Sequence, residues 1–305
     1  MRLITVAVIT YNSTKTIIDA LESVKNQTYP NIELIVSDDC SSDNTVDIIK
    51  SWMKENKHLF TNTKLLLSDT NTGIAPNLNR SIAQSNGEWI RFLAGDDMLT
   101  PNSIESYAKI IKDGMHFIMG NLYVLSGKNE IREQVIDTNF FQLDSVQQLA
   151  HKKMTSEIAA VGLIFNKKSL LSVNGFDERF PMMEDIPFFV KVLEAGMKFD
   201  GLNEFVCIYR KHEGSVQHSP KFHLSHVNYV RHVVVPRYKE EKRYIDYWHD
   251  KLWSKKEILK IENRKIQSYL IYLIMLCSDI KEWISIVRHK LYRPLIFKYR
   301  VLRKK

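Results

Sequence analysis

The sequence predicts an α/β fold: a mostly parallel sheet flanked by helices, with a helical extension at its C-terminal end. Three observations predict it. Apolar segments of strand length alternate with stretches of helical spacing through the first hundred residues, the signature of repeated β-α units with right-handed crossovers. The first segment, Ile4–Thr10, is almost continuously apolar, as a strand buried on both faces of a parallel sheet must be. After Ser219 the pattern turns helical and basic.

Taken in order, Ile17, Ala20, Leu21 and Val24 recur at helical spacing, and Pro30 separates that helix from a strand at Ile32–Ser37. Asp43 and Asn44 offer caps before a helix over Val46–Trp52, and Lys64–Leu67 is a third strand. Asn71–Gly73 marks a turn into a helix over Ala75–Gln84, closed by Asn86–Gly87. Trp89–Leu93 is a short buried strand, and Pro101 opens the next helix. The second half is less regular. It reads as a strand at His116–Leu125 and a polar excursion over Ser126–Asp137. Short strands at Gly162–Phe165, Lys198–Gly201 and Phe205–Arg210 surround a helix from Ile186 to Ala195.

With 305 residues, the chain can bury a large core as one large domain or two smaller ones. Three widely spaced cysteines, Cys40, Cys207 and Cys277, fit neither a disulfide framework nor a zinc site and favour a reducing compartment. The opening stretch lacks a long apolar core before a small-residue cleavage site, so it reads as a strand and not as a signal peptide. Charge is segregated. Residues 221–305 carry 21 Lys/Arg against 8 Asp/Glu, whereas residues 1–220 carry 22 against 27. The longest apolar run, Tyr269–Cys277, is far short of the roughly 20 residues a membrane span needs.

The chemistry gathers at strand ends. Asp96 and Asp97 follow the strand Trp89–Leu93, at the carboxyl edge where open α/β sheets bind ligands. Adjacent carboxylates without a basic partner attract a hard divalent cation, which keeps waters and bridges substrate phosphates. They also suit the amino end of the following helix. Thr10, Tyr11 and Asn12 end the first strand, either facing a nucleotide or forming an ordinary capped turn. Asp38 and Asp39 end the second; Asp39 suits a uracil N–H, which a carboxylate accepts, or is a loop acid. Glu184 and Asp185 precede Pro187, which fixes a helix start and puts both acids in its first turn. Arg210 and His212 stand before a Gly-Ser loop, as a phosphate clamp or as a solvated basic cluster.

In order, Val6–Asn12, Glu33–Thr45, Asn71–Asn79, Leu93–Asp97 and Asn174–Pro187 resemble family 2 glycosyltransferases of the GT-A fold, inverting enzymes that use nucleotide-diphosphate sugars. The resemblance covers roughly residues 3–215. It implies a glycosyltransferase domain over 1–218, with a nucleotide-sugar-binding half (1–100) and an acceptor-binding half (101–218), before a basic helical region (219–305). It implies that Thr10, Tyr11, Asn12, Asp39, Asn79, Asp96 and Arg210 bind the nucleotide sugar, Asp39 through uracil. Asp97 and His212 would hold Mn²⁺ or Mg²⁺, and Asp185 would be the catalytic base. Two departures stand out. The family often has Ala-Arg-Asn where this chain has Asn77–Asn79, so Leu78 replaces a cation that Arg80 or Arg210 would have to supply. The frequent Asp-x-Asp-Asp is Ala94–Asp97 here, without its first acid.

From Ile266 onward, apolar and aromatic residues interleave with Arg288, Lys290, Arg293 and the basic end. That pattern fits a helix lying in an anionic membrane interface, or apolar faces packed on the catalytic domain. Together these readings predict a cytoplasmic enzyme, peripheral at the inner face of the membrane. It would move a hexose or N-acetylhexosamine from a UDP-sugar to a polyprenyl-diphosphate-linked glycan in O-antigen or capsule synthesis. A nucleotidyltransferase would show a glycine-rich phosphate loop after the first strand, and Thr10–Lys15 has no glycine. A nucleic-acid-binding protein would show a recognition module, and none is legible.

Overall fold

The computed structural model describes residues 1–126, 130–151, 158–211 and 220–234. Two compact units divide the chain, Met1–Val216 and Gln217–Lys305. In the first, one sheet orders its strands β3 (Asn62–Leu67), β2 (Ile32–Asp38), β1 (Ile4–Thr10), β4 (Trp89–Ala94), β8 (Leu163–Asn166), β6 (Phe117–Ser126), β9 (Phe199–Arg210) and β5 (Met98–Leu99), with β7 (Glu130–Gln134) paired to β6. Strands β1 (Ile4–Thr10), β2 (Ile32–Asp38), β3 (Asn62–Leu67) and β4 (Trp89–Ala94) are parallel, Ile4 registering with both Ile32 and Trp89. The chain builds outward from β1 through β2 to β3, then returns to the other flank of β1 as β4. That reversal opens a crevice at the carboxyl ends of these strands.

The helices behave as their spacing demands. α1 (Ile17–Lys25) buries Ile17, Ala20, Leu21 and Val24, each large side chain contributing about 1.5–3 kcal/mol on leaving water. α2 (Thr45–Asn56) buries Ile49 and Trp52, and α3 (Ile74–Gln84) buries Ala75, Leu78 and Ile82. Leu78 is thus a core residue. α4 (Ser103–Ile110) starts two residues after Pro101, beyond a turn.

From Asp97 onward the structure corrects the sequence reading. Between Asp97 and Pro101 lies a two-residue strand, β5 (Met98–Leu99), too short to leave a periodic signal. The polar excursion contains β7 (Glu130–Gln134), an exposed edge strand antiparallel to β6 (Phe117–Ser126), with no buried face to pattern it. Two short helices, α5 (Thr138–Gln142) and α6 (Ser145–Ala150), follow. Beyond β8 (Leu163–Asn166), α7 (Lys167–Ser172) and α8 (Asp185–Glu194), the two expected strands are one, β9 (Phe199–Arg210). Its register against β6 shifts at Gly120 and Asn121. A Cβ on Gly120 would lie 2.6 Å from Val206, so the bare backbone accommodates the irregularity. β8 runs antiparallel to both β4 and β6, so the sheet is mixed on this side.

The core centres on Phe92, Phe117, Phe165, Phe176, Phe188 and Phe199, linked by contacts with ring centroids 4.7–6.0 Å apart. Arg91 is fully buried in β4 and donates to the carbonyls of Phe92, Leu163 and Val161, tying β4 to the approach of β8. In the second unit, α9 (Pro220–Tyr229) runs into a π-helical turn at Val230–Val234. Among the described residues no helix is long and apolar enough to cross a membrane.

Candidate active site

At the carboxyl ends of β1, β2 and β4 lies an open cleft of about 1000 Å³. Its floor is the loop after β1. Asn12 adopts a left-handed conformation (φ 51°), which asparagine tolerates. Its backbone N–H donates to Ser41 Oγ at 2.8 Å, and its side-chain oxygen accepts from Ser42 N–H at 2.8 Å. The loops after β1 and β2 are thereby locked together. Thr16 Oγ1 donates to the Gly95 carbonyl at 2.8 Å, fastening the same loop to the end of β4. Tyr11 is 48% exposed at the cleft. Thr10 is buried in the lining, and its hydroxyl has no hydrogen-bond partner among the described residues. Such an orphaned group calls for a ligand or a water.

Asp39 lines the cleft while 3% exposed. Its Oδ1 accepts from Thr72 Oγ1 (2.6 Å) and Arg80 Nη2 (3.2 Å); its Oδ2 accepts from the N–H groups of Thr72 (2.9 Å) and Gly73 (2.7 Å). Four donors fill the four acceptor positions of the carboxylate. A uracil N–H at Asp39 therefore has to displace one of them. Asp38 is turned away from the cleft and accepts from Ser41 N–H and Oγ.

Asp96 and Asp97 part company after β4. Asp96 is half-buried and lines the cleft; Asp97 is 2% exposed and lies behind it. Asp97 Oδ1 accepts the Arg210 backbone N–H at 2.8 Å. The contact follows from β5 pairing antiparallel with β9, Met98 opposite Ile208, which brings Asp97 beside Tyr209 and Arg210. Burial, then the neighbouring Asp96, pushes the Asp97 carboxyl up to about 8. Arg210 reaches into the cleft and ion-pairs with Asp19 at 3.0 Å.

Asp185 and Glu184 stand where the sequence puts them, Glu184 at the residue before α8, with no side-chain bond to the helix end, and Asp185 in its first turn. Asp185 Oδ1 accepts the following N–H, of Ile186, at 2.7 Å. Glu184 retains some solvent contact, yet desolvation and then Asp185 hold its carboxyl well above the ordinary range. The segment leading to α8 is docked onto the opening of α3. Ala75 N–H donates to the Pro181 carbonyl at 3.1 Å, and Gly73 (φ 97°) lies so close that a Cβ would sit 2.8 Å from that oxygen. Asn79, expected at the nucleotide sugar, is a brace here. Its amide donates to Phe176 O and Glu178 Oε1 and accepts from Phe176 N–H, and it is not among the cleft-lining residues.

Two residues of the site were not singled out in the sequence. Tyr209 is half-buried, and its phenol is pushed up by burial and then by Asp97, Asp96 and Asp185. Thr72 latches Asp39; only the strand-end position of Asp39 hinted at such a partner. Arg80 points at Asp39 and Ser37 and is absent from the cleft lining, which leaves Arg210 and Lys15 as lining cations. His212 lies outside the described residues.

The mixed sheet, with its crevice at the carboxyl ends of β1, β2 and β4, is the GT-A fold that the sequence led us to expect. The chain belongs to glycosyl transferase family 2, whose family model matches residues 5–170. It is similar to an Escherichia coli enzyme named UDP-Glc:alpha-D-GlcNAc-diphosphoundecaprenol beta-1,3-glucosyltransferase WfaP, 26% identical over 219 residues, 71% of this chain and 80% of that one. A Campylobacter jejuni protein named GalNAc(5)-diNAcBac-PP-undecaprenol beta-1,3-glucosyltransferase is 27% identical over 186 residues, 58% of this chain and 55% of its own. Among solved structures, S. aureus TarS 1-349 in complex with UDP matches with a TM-score of 0.59 at 16% identity, over 90% of this chain and 88% of that one.

Proposed function

We propose that this glycosyltransferase is an inverting, metal-dependent enzyme moving a hexose or N-acetylhexosamine from a UDP-sugar to a polyprenyl-diphosphate-linked glycan of bacterial surface polysaccharide. The observation that carries the reading is the cleft at the carboxyl ends of β1, β2 and β4, where the unpartnered Thr10 hydroxyl, Asp39, Asp96 and Arg210 line one space. The donor's base would lie against Asp39 and Tyr11, with the Thr10 hydroxyl, Asn12, Asp96 and Arg210 along the ribose and diphosphate. Asp185 would take the proton of the acceptor hydroxyl on the face opposite the leaving group, so that the configuration inverts.

Among the described residues no three acids, histidines or cysteines are grouped to hold an ion. The Asp96–Asp97 pair nevertheless fits Mg²⁺ or Mn²⁺, which take few protein oxygens and complete their shell with water and substrate phosphate. Asp97 would be the principal ligand, since a cation relieves the unfavourable ionisation of a buried acid beside another acid. Bound there, the ion would neutralise charge on the departing nucleotide. The lipid-linked acceptor is supported by the names of the E. coli and C. jejuni relatives, and a cytoplasmic, membrane-peripheral location by the basic end of the chain. The test is a screen of UDP-, GDP- and dTDP-sugars for transfer or hydrolysis with Mn²⁺, Mg²⁺ or chelator. Turnover that chelator leaves intact would remove the metal from the mechanism, and a retained anomeric configuration would remove the single base.

A further inference from the structure

We infer that Arg80 is the positioning residue that sets nucleotide-base selectivity, by fixing the Asp39 carboxylate at the cleft wall. The inference rests on the reading that the donor is a UDP-sugar. Asp39 is 3% exposed, and burying a carboxylate is costly unless it is paired and hydrogen-bonded. Arg80 is its ion-pair partner among the described residues, at 3.2 Å.

The guanidinium is itself held on both sides. Nη2 serves Asp39 Oδ1 and, at 3.1 Å, Thr72 Oγ1. Nη1 donates to Asn77 Oδ1 (3.2 Å) and, at longer range, to Ser37 Oγ (3.4 Å) and the Asp38 carbonyl (3.5 Å). Asn77 is anchored in turn to the Ser37 carbonyl at 3.1 Å. A planar fork pinned to the end of β2 and to one turn of α3 has little freedom to swing toward a phosphate, so it acts through Asp39.

Of the four donors on Asp39, two are backbone N–H groups and one is this pinned fork. The Thr72 hydroxyl is the donor that can rotate away without breaking backbone structure. Its departure opens one lone pair on a carboxylate whose orientation the other three donors still fix. Uracil offers an imide N–H flanked by carbonyls, matched to a carboxylate and a freed hydroxyl; cytosine offers a ring nitrogen acceptor at that position, which a carboxylate repels. Selectivity then depends on the carboxylate keeping its plane, which the Arg80 contact fixes.

The experiment is calorimetric titration of UDP and CDP into the full chain, for wild type, Arg80→Gln and Arg80→Lys, with thermal melts alongside. Loss of a charge-assisted contact predicts that Arg80→Gln weakens UDP binding on the order of 10–100-fold, with CDP affinity held within about threefold, so the preference collapses; Arg80→Lys should fall between. A merely structural role would lower the melting temperature and leave the UDP-to-CDP ratio of the folded protein unchanged. That unchanged ratio in a wild-type-like fold overturns the inference while leaving the donor reading intact. Should Arg80→Gln not fold, Arg80→Lys carries the same comparison. A wild type with no preference for UDP over CDP overturns both.

Discussion

Asp185 and Glu184 are neighbours with different environments, and the contrast between them is the sharpest test at the residue scale. Asp185→Asn keeps shape and hydrogen-bonding reach but cannot accept a proton, so transfer should fall about 10²–10⁴-fold, with UDP binding kept. Glu184→Gln should be far milder in activity. A dead Glu184→Gln beside an active Asp185→Asn would reassign the base. Glu184 also shapes stability. Its folded carboxyl is held well above the ordinary range by burial and by Asp185, so the folded chain keeps a proton that the unfolded chain releases above about pH 4.3. With fewer protons on the unfolded state, stability falls as pH rises from there through neutral. Urea melts should show that fall in wild type and a flatter profile in Glu184→Gln; equal slopes would mean Glu184 ionises normally in the fold. Asp97→Ala removes an acid that accepts the Arg210 N–H, and transfer should be abolished with the melting cooperative. Near-normal turnover of that variant in chelator would discard Asp97 as a metal ligand.

At the scale of elements, the site is held by joints between strand ends and the segments opposite them. Gly73 is such a joint: its φ of 97° and the Pro181 carbonyl beyond it leave no room for a side chain. Gly73→Ala should destabilise by roughly 1–3 kcal/mol and raise the donor KM, because Gly73 N–H also holds Asp39; unchanged stability and KM would show that the turn adapts freely. α1 to α3 were legible because each buries a periodic apolar face, as Ile17, Ala20, Leu21 and Val24 illustrate, and β1, β2 and β4 because they are nearly continuous buried runs. β7 was not, since all five of its residues are exposed, and β5 was not, since two residues carry no period. Asp39, Asp96, Asp97 and Asp185 were legible as acids at strand ends or a helix start. The contacts of Asn79 and Arg80 were not legible, for one reason. A helix opening places each side chain by the strand or loop it meets, here Phe176 and the end of β2, and those partners lie far away in sequence. Tyr209 escaped because only the β5–β9 pairing brings it to Asp97.

At the scale of the whole molecule, the chain separates its charges. The body that carries the cleft has an acidic excess, with 22 Lys/Arg against 27 Asp/Glu over residues 1–220, and residues 221–305 carry 21 against 8. On the proposed reading, donor binding asks nothing of such a basic end, because the nucleotide diphosphate would be met inside the cleft. An acceptor anchored in an anionic bilayer would ask for it, since each Lys or Arg near such a surface contributes about 1 kcal/mol of attraction, screened beyond a Debye length. Trp283, Leu291, Tyr292, Leu295 and Phe297 stand among the basic residues of that segment, which lies outside the described residues, and would add apolar contact that salt does not screen. Deleting Arg288–Lys305 should therefore release the protein from vesicles rich in anionic lipid and spare transfer to a short soluble acceptor. Raising salt should weaken the full chain's binding only in part, with the remainder resting on the aromatic residues. Vesicle partitioning that is equal with and without residues 288–305 would reject the membrane role of this segment, and a loss of soluble-acceptor transfer on deletion would assign the segment to the catalytic unit instead.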